Sequence, residues 1–326
     1  MPNNFKNINL NLFLFLILAI ISALSLMAGK VFVPLNEWMS GDLKSLIIME
    51  LRLPRAIIGI LIGAGLGMSG AVMQGYLRNP LADPGLFGVS SSAALGAVIS
   101  MFFGFALQPF LLPSFALLGA GFGMLALTLL AGRSASLVLF TLSGVIISSL
   151  TASLTALLIS LAPNPFAASE IVTWLMGALS DRSWDDVKIA LPLILIGMGF
   201  LMAIAKNLDA LSLGEANAKS MGVNLQTLQY IIIIGIGLCV GASVAVSGII
   251  GFVGLVVPHL VRPFVGHRPS AMLLPSALLG AILVVAGDCL VRIMPTQSEL
   301  RLGIARSLLG APFFLGLLFK MRREIV

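Results

Sequence analysis

Three groups of residues in this chain combine side-chain chemistry with a regular spacing. The first is a hydroxyl stripe: Thr141, Gly144, Ser148, Thr151 and Thr155 recur at steps of three and four, so they share one helix face. Such a stripe can line a wetted path for a polar solute. Each hydroxyl can equally bond back to its own helix or to a neighbouring one, and the spacing leaves both readings open. The second group is charge in apolar surroundings. Asp288 and Arg292 stand four residues apart near the end of one apolar run, and Arg306 falls inside another, where an unpaired charge is costly. The third is the polar island 209–224, DALSLGEANAKSMGVN, between two long apolar runs. Ser212 and Glu215 have the S-x-x-E spacing of a capping box, Glu215 and Lys219 stand at i,i+4, and Gly222 sits where a left-handed residue closes a helix. The island is therefore predicted to be a short surface helix that leaves Leu213, Ala216, Ser220 and Met221 free to press into something else. A simple interfacial link between two spans is the alternative.

Spacings that would mark an enzyme are missing: there is no G-x-x-x-x-G-K-[ST] loop, H-E-x-x-H pair, Cys/His cluster or G-x-S-x-G elbow. No catalytic residue, metal-ligand set or cofactor is expected on this chain, and any ATP would be bound by another. His259, in VVPHLVR, reads as a satisfied helix-end histidine, and Cys239 and Cys289 read as small buried hydrophobes. No chain of carboxylates suggests a proton or sodium relay.

The elements that must position these groups follow from composition. With 326 residues, 59% hydrophobic, 10% charged and a mean hydropathy of +1.08, the chain reads as one all-α polytopic membrane domain over 1–326. The net charge of +6 is scattered between apolar runs with no basic, aromatic-laced cluster, which argues against nucleic acid. Apolar runs fall at 12–28, 56–76, 85–105, 110–131, 137–161, 189–205, 230–246, 250–265, 271–291 and 302–320, about ten spans with both termini on one side. The first run is long enough to be a span rather than a signal peptide. With the termini in the cytoplasm the positive-inside bias is slight, and Trp38, Trp174 and Trp184 fall together on the outer side. The outer side is unusually basic for that side, which calls either for a different topology or for a purpose such as an acidic docking partner. The segment APNPFAASEIVTWLMGALSDRSWDD is predicted to form a proline-started helix and a capped loop there. Gly63/Gly67, Gly119/Gly123 and Gly237/Gly241 give three G-x-x-x-G pairs for close packing, and the glycines of the second run echo in the seventh, as inverted repeats would.

Four segments carry a resemblance: MELRLPRAIIGILIGAGLGMSGAVMQGYLRNPLADPGLFGVSSSAALGA, GEANAKSMGV, SGIIGFVGLVVPHLVR and LLGAPFFLGLL. In order and spacing, from about residue 50 to the C-terminus, they resemble the FecCD-type permeases of ATP-binding-cassette importers for iron siderophores, haem and vitamin B12. The resemblance implies a ten-span type II importer permease fold in the bacterial cytoplasmic membrane. It further implies a homodimer served by two ATPase subunits that bind the ATP and Mg, and by a periplasmic substrate-binding protein. It assigns ATPase coupling to 213–221, with Leu213, Gly214, Glu215, Ala216, Ala218 and Met221 at the matching places. Arg52, Arg55 and Arg292 match arginines that pair with glutamates of the binding protein. The fifth and tenth spans would line the path, bringing in Thr141, Ser148, Thr151, Thr155 and Arg306, with Ser134, Ser136 and Leu137 at the cytoplasmic gate. The sequence departs from the pattern at ELRLGIARSLLGAP, where Arg301 and Arg306 stand in place of a proline and an uncharged residue. Either arginine meets an anionic chelate, or Arg306 pairs within the protein and Arg301 snorkels to the interface. An ATP-independent secondary transporter or channel is the competing class; it would call for an intramembrane ion site and no coupling helix.

Overall fold

Backbone amides in apolar surroundings have to be satisfied within their own segment, and the long apolar runs accordingly fold as helices. The computed structural model describes residues 2–29, 31, 33–34, 37–38, 43–108, 110–132, 136–266, 268–294, 301–303, 310 and 312. Helix α1 is Pro2–Met27, and α2 is Leu53–Tyr76, entered through an α-turn at Leu43–Leu46 and a π-turn at Ile47–Arg52. Then come α3 (Val89–Phe102), α4 (Leu111–Ala131), α5 (Leu137–Ser160), the surface helix α6 (Pro165–Leu175) and α7 (Trp184–Ala203). The polar helices α8 (Ala205–Ser212) and α9 (Glu215–Ser220) lead to α10 (Leu225–Ser247), α11 (Val253–Val261) and α12 (Pro269–Ile293). Nine of the ten expected spans are thus helices; most of the tenth lies outside the described residues. The turns at 77–82, 204–224 and 265–268 share one side of the bundle, called here the near face; the ends of α1 and α12 and the start of α2 lie on the far face.

Seven of these helices are long and apolar enough to cross a membrane, taking α2 together with its entry turns. The two runs at 85–105 and 250–265 give only α3 and α11, of 14 and nine residues. At about 1.5 Å per residue neither reaches across the ~30 Å apolar layer. Prolines and glycines explain the shortfall, since Pro80, Pro84 and Gly85 precede α3 and Gly248 and Gly251 precede α11. Both short helices open on a left-handed residue, Gly88 (φ 78°) and Phe252 (φ 67°). They also occupy the same position in their halves: a long helix, a broken stretch, a short helix, then another long helix. Helix α2 packs on α12 while α10 packs on α4, the exchange that an inverted repeat requires.

The glycine pairs do their work inside the chain. Gly63 and Gly67 of α2 lie against Gly280 and Ser276 of α12, Gly119 lies against Ser92, and Gly237 sits beneath Met124. The tightest approach to another backbone is Gly70, whose missing Cβ would coincide with the Gly254 carbonyl at the start of α11. Gly70→Ala is therefore expected to push α2 and α11 apart and cost about 3 kcal/mol or more. Gly121→Ala is the control, because nothing lies within 4 Å of that position. Thermal unfolding of detergent-solubilised protein should separate the two variants clearly.

Candidate functional site

On the near face the polar island folds as two helices rather than one. Asp209 anchors them: its carboxylate accepts from Arg268 Nε at 2.8 Å, Ser270 N at 2.8 Å and Ser270 Oγ at 2.6 Å, tying α8 to the start of α12. The predicted capping box does not form. Ser212 ends α8 and donates to the Asp209 carbonyl at 2.6 Å, and α9 starts instead from Gly214 at φ 105° with no side-chain cap. The expected C-terminal closure is present as a Schellman pair. With Gly222 left-handed at φ 84°, Gly222 N donates to the Lys219 carbonyl and Val223 N to the Ala218 carbonyl, both at 3.0 Å. The Glu215 carboxylate turns to Arg78, 3.8 Å away across the surface, in place of Lys219.

This geometry sorts the expected coupling residues. Leu213 and Met221 are 62% and 63% exposed at the two ends of α9, with exposed Ala216 and half-exposed Gly214 and Glu215 between them. Ala218 faces the other way, fully buried in the core, so it positions α9 and cannot touch a partner. Two bare apolar side chains thus flank a carboxylate on the exposed side of α9.

Along α5 two hydroxyls of the stripe, Thr141 and Thr151, bond back to their own helix. Thr141 Oγ1 donates to the Leu137 carbonyl at 2.8 Å and Thr151 Oγ1 to the Ile147 carbonyl at 2.8 Å. Thr151 is buried among neighbouring helices, so within this chain it does not line an open path. Ser148 and Thr155 are half-buried on the same face. At the near end, Ser136 caps α5 by accepting from Leu139 N at 3.4 Å. Leu137 and Thr141 there border an apolar groove with Leu77, Asn79 and Val138. Ser134 and Arg306 lie outside the described residues.

The broken stretches meet inside the bundle, where Pro84 packs on Gly254. Between them is a cavity of about 170 Å3 lined by Asp83, Gly85, Ser90, Ser91, Gly251 and Phe252. Asp83 caps the turn that leads to α3, accepting from Gly85 N at 2.7 Å. These residues were absent from the sequence-based assignment, although the interruptions in NPLADPGLFG and SGIIGF mark matching positions of the two halves.

On the far face the arginines are not offered to a partner. Arg55 grips Asp288 through Nε and Nη2 at 2.8–3.1 Å, and Arg292 reaches the other carboxylate oxygen at 3.0 Å, the i,i+4 pair that the sequence announces. Nη1 of Arg292 donates to the Ser25 and Ala28 carbonyls at 3.0 and 3.2 Å, and Arg52 donates to the carbonyls of Leu26, Met27 and Val31. Arg52 and Arg292 are buried, and Arg55 nearly so. Within this chain the three arginines bind α2 to α12 and cap the carbonyl end of α1. Trp184, also on this face, donates from Nε1 to the Met49 carbonyl at 3.0 Å. The proline-started helix is present too, as α6, with Asn164 accepting from Ala167 N at 2.9 Å.

Paired halves with broken helices meeting at a cavity inside the bundle, and an exposed short helix on one face, have the architecture of a transport permease. The chain belongs to the FecCD transport family, which it matches over residues 16–320. It is 36% identical over 319 residues to the Fe(3+) dicitrate transport system permease protein FecD of Escherichia coli (strain K12), covering 97% of this chain and 99% of that protein. With the cobalamin import system permease protein BtuC of Halobacterium salinarum it shares 37% identity over 283 residues, 83% of this chain and 73% of that one. A solved metal-chelate type ABC transporter in an inward-facing conformation has the same fold, with a TM-score of 0.88, 32% identity and coverage of 96% and 99% of the two chains.

Proposed function

We propose that this chain is the membrane-spanning subunit of an ATP-driven importer for an iron chelate such as a ferric siderophore, for haem, or for cobalamin. In this reading it works in a bacterial cytoplasmic membrane as a homodimer, with two ATP-binding-cassette ATPases on the near face and a periplasmic binding protein on the far face. The observation that carries the reading is α9: a capped helix whose exposed surface is Leu213, Ala216, Glu215 and Met221, standing clear of the bundle on which Ala218 seats it. That face is then cytoplasmic, and so are both termini. The names of the relatives supply the cargo range, since they include Fe(3+) dicitrate and cobalamin permeases.

No bond is made or broken by this chain in such a cycle. ATP binding draws the ATPases together, α9 carries the displacement, and the dimer exchanges an outward-facing for an inward-facing arrangement. ATP can drive this only to the extent that it binds one arrangement more tightly. The test is uptake into vesicles holding the permease, its candidate ATPase and its candidate binding protein, with ferric dicitrate, haem and cobalamin offered in turn. ATP-dependent accumulation of one of them is the expected result. Accumulation without ATP, or in step with an imposed ion gradient, would instead establish a secondary transporter.

A further inference from the structure

We infer that the rings of Tyr76, Phe140 and Phe87 form the linkage through which movement of α9 reaches the near end of α5, with Arg78 as its arm; the inference rests on the importer reading above.

Arg78 is the second residue beyond α2 and holds a left-handed backbone conformation, φ 51°, which a non-glycine residue rarely adopts without a reason. That conformation aims its guanidinium at Glu215 on α9. The turn carrying it is knitted rather than loose. Asn79 N donates to the Gln74 carbonyl and Ala82 N to the Asn79 carbonyl, each at 3.2 Å, while Asn79 Oδ1 accepts from Leu81 N at 2.9 Å. A displacement at Arg78 is therefore passed on by the turn instead of being absorbed in it.

Two residues upstream of Arg78, Tyr76 is buried and stands edge-on to Phe140, with ring centroids 5.4 Å apart and planes at 84°. Phe140 in turn lies 4.8 Å from Phe87, at the other end of the same connection, where the chain enters α3. Phe140 belongs to the first turn of α5. Its neighbours Val138, Leu139 and Leu142 are exposed on the outside of the bundle, so Phe140 is the one fully buried side chain of that turn, with Leu137 partly buried beside it. The Tyr76 hydroxyl has no hydrogen-bond partner among the described residues, which leaves ring contact as the means of transmission. The three rings thus join the turn whose Arg78 reaches α9, the turn that enters α3 and the helix that follows the expected gate.

A plain core cluster would show the same rings, and two readouts separate the alternatives. In the vesicle system, Phe140→Leu keeps apolar bulk but removes the ring. The linkage predicts a melting temperature lowered by only a few degrees, unchanged ATPase co-purification and unchanged ATP hydrolysis, with cargo moved per ATP reduced about tenfold. Phe140→Tyr should restore the ratio, Tyr76→Leu should reproduce the defect, and Tyr76→Phe should behave as wild type. Wild-type cargo per ATP in Phe140→Leu would overturn the linkage, as would a loss of stability and assembly in proportion to transport, which is the signature of packing alone. ATP-independent uptake by the unmutated protein would overturn the importer reading and the linkage with it.

Discussion

Glu215→Arg is expected to lower ATP-driven uptake by at least about tenfold while leaving the fold intact. The Glu215 and Arg78 side chains are each 41% exposed, and an ion pair that open contributes about 0–1 kcal/mol. Its loss barely registers in a melting curve. The surface seen by a partner changes far more, because the reversal sets two guanidiniums side by side between Leu213 and Met221. Like charge facing a partner built for a carboxylate costs on the order of several kcal/mol at an interface. The measurements are ATP-dependent uptake, ATPase co-purification and melting temperature on the same preparation. Normal uptake from a stable variant would remove α9 from the coupling surface.

Asp288→Ala should be among the most damaging single changes to stability, with an expected cost of about 3–5 kcal/mol. Asp288 has 3% of its side chain exposed and sits between Arg55 and Arg292, at 11% and 4%. Removing the carboxylate strands two buried guanidiniums with only carbonyls and a hydroxyl to face. Asp288→Glu, which keeps the charge, should recover part of the loss, and both are read from thermal unfolding and the yield of monodisperse protein. If Asp288→Ala melted like the parent, the cluster would have to be open to water, and its arginines would again be available to a binding protein as their sequence pattern suggests.

Local rules in the sequence carried a good deal of this. Runs of apolar residues located nine helices, Asp288 and Arg292 announced their own pairing at i,i+4, and Gly222 announced the end of α9. What escaped depends on residues far apart in the chain. Arg55 meets its carboxylate 233 positions away, and no local pattern distinguishes an arginine destined for that encounter from one left on the surface. The S-x-x-E spacing of Ser212 and Glu215 was misleading for a related reason: Asp209, committed to Arg268 and Ser270, ends α8 where Ser212 stands, so Ser212 closes one helix instead of opening the next. The apolar segments before α3 and α11 kept the composition of a span while prolines and glycines took away its helix. Composition alone cannot show that they run as open chain into the bundle.

The carbonyl end of α1 has a consequence for how the protein is made. That helix precedes α2 to α12 in the chain, yet part of what satisfies its last turn arrives with Arg292, 267 residues after Ser25. Its side chains wait as well, because Leu14 and Leu18 pack on Ala281 and Ile282 of α12. Until the ribosome has released nearly the whole chain, α1 has lipid on almost every side and only Arg52 at its end. Order of insertion and order of assembly are therefore nearly reversed for this helix: it enters the bilayer ahead of α2 to α12 and is among the last of them to be locked.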